Sequence, residues 1–79
     1  MSFKPRSVIV VAQKIISIIP DNQNNIRVDI QKFINGLWNQ APEALFERYN
    51  WVRFITLLNQ IIKPEYTDLI EQIQNILNG

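Results

Sequence analysis

The amino-acid sequence predicts an all-α fold, a single compact bundle of about five short helices within residues 1–79. Three observations predict it. Prolines and an asparagine-rich stretch punctuate the chain at Pro20-Asp21-Asn22-Gln23-Asn24-Asn25, at Ala41-Pro42 and at Lys63-Pro64. The segments between them repeat their apolar residues with helical spacing rather than in strict alternation. The single β-branched run has no second strand candidate to pair with.

That run opens the first segment. Ser7-Val8-Ile9-Val10-Val11 taken alone would pass for a strand. Its continuation decides otherwise, because Val8, Val11, Ala12, Ile15, Ile18 and Ile19 form a helical stripe opposite Gln13, Lys14 and Ser17, which predicts a helix near residues 7–19. The second segment predicts a helix near 24–39. Ile26, Ile30, Phe33, Ile34, Leu37 and Trp38 line one face, Arg27, Gln31, Lys32 and Asn35 the other, and one of Asp21 to Asn25 supplies the cap.

The stretch from Pro42 to Lys63 is long enough for one helix, but its apolar stripe does not hold direction. On a wheel turning ~100° per residue, Leu45, Tyr49 and Val52 gather near ~0°, whereas Trp51, Phe54, Ile55, Leu58, Ile61 and Ile62 gather near ~210°. A single straight helix would aim one group at water. The expectation is therefore a short helix at 42–48, a bend near Tyr49-Asn50 with Asn50 as N-cap, and a longer helix at 51–62. The last segment predicts a helix at 64–77, with Tyr66, Leu69, Ile70, Ile73, Ile76 and Leu77 on one face. Pro64 suits its first turn, Glu65 and Asp68 suit the positive end of its dipole, and Asn78-Gly79 is a natural stop.

Composition narrows the chemistry. The chain has no cysteine and no histidine, which excludes a thiol nucleophile, a disulfide, a thiolate or imidazole metal site and an imidazole base. The grouped acids, Glu43 with Glu47 and Glu65 with Asp68 and Glu71, fall at predicted helix starts, where acids complement the dipole without any catalytic role. With Gly36 and Gly79 as the only glycines, no phosphate-cradling loop is available. The expectation is no enzymatic activity, no cofactor, no metal and no small-molecule substrate.

A net charge of +1 is too small for a nonspecific polyanion binder, yet the charges are polarised along the chain. Residues 1–20 carry Lys4, Arg6 and Lys14 without an acid, and residues 61–79 carry Glu65, Asp68 and Glu71 against Lys63 alone. First and last helices lying side by side would make this complementarity internal; head-to-tail self-association is the other reading. Lys4 and Arg6 before an apolar stretch superficially resemble a signal peptide, but Gln13, Lys14 and Ser17 interrupt it and no small-residue cleavage site follows. A spanning helix would need ~20 apolar residues, so a cytoplasmic chain without membrane association is expected.

The positive expectation is a protein–protein interaction module, an adaptor or small regulatory subunit that associates with itself or with a larger partner. Trp38, Phe46, Tyr49, Trp51 and Phe54 crowd the middle of the chain, too many large rings for all to be central in so small a core. Phe46 and Trp51, beside Arg48 and Arg53, are the candidate interface anchors. Val10 joins them with Lys14, because it falls on the otherwise polar side of a helix that is apolar nearly all round. The alternative is a small DNA-binding regulator using basic side chains of the first two helices. The helix-turn-helix outline from Ile26 to Arg48 is chemically poor for that task, since residues 42–48 offer one arginine and two glutamates.

Overall fold

The first helix carries apolar residues on most of its faces, and the other three helices cover all but the side of Val10, Gln13, Lys14 and Ser17. The computed structural model describes residues 7–79, so Lys4 and Arg6 of the basic start lie outside the described residues. Helix α1 (Val8–Ile18) buries Val8, Ile9, Val11, Ala12 and Ile15, and Ile19 just beyond its end is buried too. It packs against the three other helices, α2 (Asn24–Leu37), α3 (Arg48–Ile61) and α4 (Thr67–Asn78). Helix α2 also packs on α3, whereas α4 rests chiefly on α1. The fold is an all-α bundle, and among the described residues there is no strand.

The core is built from isoleucines on facing stripes. Ile26, Ile30, Ile34 and Leu37 of α2 meet Phe54 and Leu58 of α3 and Leu69 and Ile73 of α4 around the α1 axis. Each such side chain removed from water contributes ~1.5–3 kcal/mol, which is how a short chain without disulfides offsets its ordering entropy. The described residues span 34 × 32 × 19 Å, about two helix diameters in the thin direction. Every helix therefore keeps one face on the surface, α1 through Val10, Gln13, Lys14 and Ser17.

Among the described residues four α-helices form rather than the expected five. Residues Pro42–Phe46 make a 3-10 turn instead of an α-helix, because extended residues at Ala41 (ψ 149°) and Glu47 (ψ 138°) leave only five residues between them. That is too short to propagate α-helical bonds. The break also falls earlier than expected, at Glu47 rather than Tyr49-Asn50, so Tyr49 and Asn50 belong to the first turn of α3. Asn50 is not the N-cap. Its side chain is 1% exposed, and its amide donates to the Ala44 carbonyl at 2.7 Å and to Gln40 Oε1 at 3.0 Å. Its Oδ1 accepts from Arg53 Nη1 at 3.3 Å. Asn50 thus ties the α2–α3 connection onto the start of α3.

The other boundaries shift for local reasons. Helix α2 stops at Leu37, and bonds from Asn39 N to Gly36 O and from Gln40 N to Leu37 O tighten its exit, leaving Trp38 as the cap residue. Helix α4 begins at Thr67 rather than Pro64. Tyr66 N donates to Lys63 O at 3.0 Å, closing a turn in which Pro64 takes the position its ring geometry favours. Between α1 and α2, Arg27 Nη2 donates to Ile19 O at 2.7 Å, satisfying a carbonyl at the end of α1, and pairs with Asp21 at 3.1 Å. Asp21 is fully exposed, so the carbonyl bond is the more consequential of the two.

Two substitutions check this description by urea denaturation. Asn50→Ala is expected to lower stability by ~1–3 kcal/mol, since it strips partners from a buried carbonyl and amide. Gly36 lies in α2 at an ordinary φ, and a Cβ there would meet nothing within 4 Å. Gly36→Ala is expected to raise stability by ~0.5–1 kcal/mol, and an unchanged midpoint would contradict the open surroundings of that position.

Candidate functional site

The early break at Glu47 decides what α3 shows to water. Because the helix starts at Arg48, it carries both apolar groups of the wheel at once: Phe54, Leu58 and the following Ile62 turn inward and are buried, while Tyr49 and Val52 turn outward. Tyr49 is 68% exposed and Val52 54%. A helix with two apolar stripes can bury only one of them in a two-layer fold.

The outward stripe borders α2 and forms a groove of about 620 Å³ with it. Asp29, Lys32 and Phe33 come from α2; Val52, Arg53, Thr56, Leu57, Gln60 and Ile61 come from the α3 side. Phe33 forms part of the floor. It stacks on buried Phe54 with ring centroids 5.5 Å apart and planes at 22°, and Trp51 meets the same Phe54 edge-on at 6.4 Å. The surface aromatics are thereby continuous with the core.

Arg53 is the most constrained charge on this face. Its guanidinium carbon lies 5.3 Å from the Phe33 ring centroid and 5.6 Å from that of Tyr49, and Nη1 donates to Asn50. Each ring contact of this kind contributes ~0.5–1 kcal/mol at an exposed site. An exposed arginine normally samples many rotamers; here two rings and a buried asparagine hold the fork in place. Among the described residues the one ion pair is Arg27 with Asp21, and neither Arg53 nor Lys32 has a carboxylate partner there.

The six residues proposed from sequence do not form one cluster. Only Arg53 lines the α2–α3 groove. Phe46 is exposed at the end of the 3-10 turn, and Arg48 is exposed at the start of α3. Trp51 is half-buried against Phe54 and packs on the core. Val10 and Lys14 are both exposed on α1 and take no part in the groove. Tyr49 and Val52 were not among the six, although the divided wheel already implied that one of its groups would face water; Phe33, placed by its spacing on the core face of α2, packs on the core and also lines the groove. Trp38, read as part of a buried stripe, is 62% exposed because α2 ends one residue before it.

A second groove of about 200 Å³ runs between α3 and α4, with Ile55, Leu58, Ile62, Ile70 and Ile73 among its lining residues. It is smaller and carries no charged side chain. The α2–α3 face combines apolar area, aromatic rings and a guanidinium held between two of them, the composition typical of interface centres. If Tyr49 and Val52 serve a surface rather than the core, Tyr49→Ser and Val52→Ser should each change unfolding free energy by no more than ~0.5 kcal/mol in urea melts. A loss several times larger would place them in the stability of the bundle instead. No protein-family model matches the chain, and neither the curated proteins nor the solved structures contain a significant match.

Proposed function

We propose that this chain is a cytoplasmic, non-enzymatic protein-recognition module, an adaptor or small regulatory subunit, and that the α2–α3 face is its binding surface. The observation that supports it best is the Phe33–Arg53–Tyr49 arrangement. Holding an arginine on an exposed surface between two rings reduces the side-chain entropy lost when a carboxylate docks, and so favours tight recognition. Val52 and Tyr49 add apolar area beside that charge, where a partner would exclude water.

Affinity capture on the immobilised full chain tests the reading against two variants. Proteins retained by the wild type should fall by ~10-fold or more on Val52→Glu and Arg53→Ala, with helical circular dichroism unchanged in both. Retention of the same proteins by both variants would remove the α2–α3 face from consideration. A gel shift with duplex DNA whose affinity drops steeply with salt would replace protein recognition with phosphate contacts.

A further inference from the structure

We infer that the partner of the α2–α3 face is a second copy of this chain, which presents the acidic start of its α4 to the fixed Arg53. The inference rests on the reading of that face as a protein-binding surface and names its occupant. Charge complementarity carries it. Helix α3 contains Arg48 and Arg53 and no acid, while α4 contains Asp68 and Glu71 and no base, with Glu65 in the turn just before it. All three acids are exposed, and none pairs with a base among the described residues.

The two charged regions cannot meet within one chain. Arg53 lies on the side of α3 that borders α2, together with Thr56, Leu57 and Gln60, whereas the side that borders α4 carries Ile55, Leu58 and Asn59. Helix α4 itself rests chiefly on α1. Side-by-side packing of α1 and α4 therefore leaves the acids of α4 available, and the arginine held by Phe33 and Tyr49 lacks a carboxylate. The groove lining carries Lys32 and Arg53 against Asp29, so its charge is opposite to that of the acidic turn.

Contact between two different faces is heterologous, and each added copy leaves one cationic groove and one acidic turn unused. The assembly is an open chain of copies. Its cohesion depends on salt, because the charges lie at the surface, where the screening length shrinks from ~30 Å at 0.01 M to ~3 Å at 1 M salt.

Light scattering on a sizing column tests this with the full chain at several concentrations in low and high salt. The wild type should grow in mass with concentration at low salt and return to monomer at high salt. Arg53→Glu and Asp68→Lys should each weaken association by ~10-fold or more, since each sets like charges opposite one another. Mixed in equal amounts, the two variants should associate again, because the acidic turn of one meets the intact groove of the other and the reversed groove and turn are once more oppositely charged. Lys32→Glu repeats the groove test should Arg53→Glu lose its helical signal. A wild type that stays monomeric throughout, or an assembly indifferent to these reversals, overturns the second copy as the occupant. Loss of capture in Val52→Glu would still support protein recognition by the same face, so the two readings fail separately.

Discussion

The burial of α1 is the constraint on which the rest of the structure depends. Val8, Ile9, Val11, Ala12 and Ile15 occupy several sides of one helix, and an edge position would leave part of that set in water. In a 79-residue chain without disulfides, the only remedy is to lay every other helix against it. Helices α2, α3 and α4 do so, each through one stripe, and each keeps its other side at the surface. The β-branched opening of α1 belongs to the same solution. Valine and isoleucine are ordinary helix formers at best, but the burial of Val8, Ile9 and Val11 repays their lost rotamer freedom where propensity alone would not.

What the sequence made legible follows from which signals are local. Helical period and proline punctuation are local, so the all-α class was readable, as were the centres of α2, from Ile26 to Leu37, and of α4, from Leu69 to Leu77. The helix count was not. Whether Pro42–Phe46 forms an α-helix depends on the extended residues at Ala41 and Glu47, which in turn depend on how the connection is fastened to α3. That fastening is Asn50, whose residue type suits an N-cap and a buried bridge equally well. Only tertiary packing separates the two roles, through the Ala44 carbonyl and the Gln40 side chain.

The candidate site was half legible for a related reason. Wheel geometry shows that α3 bears two apolar stripes, but it does not say which is inside. Phe54 settles this by stacking on Phe33 and receiving the edge of Trp51, and Tyr49 and Val52 are left outward as a consequence. Arg53 was nameable from sequence as a cation among aromatics. Its rigidity was not, since Phe33 lies twenty residues earlier and reaches it only once α2 and α3 have packed.

These features connect stability to recognition through one group of side chains. Asn50 anchors the connection, lends its Oδ1 to Arg53, and so transmits the rigidity of the core to a charge on the surface. Phe33 does the same from α2, with one side of its environment supplied by Phe54 and another by the guanidinium. An arginine placed by such supports meets a carboxylate with less entropy to lose than a freely rotating one. Preorganised charge beside exposed aromatic area, with no carboxylate partner among the described residues, is the feature on which the proposed recognition rests.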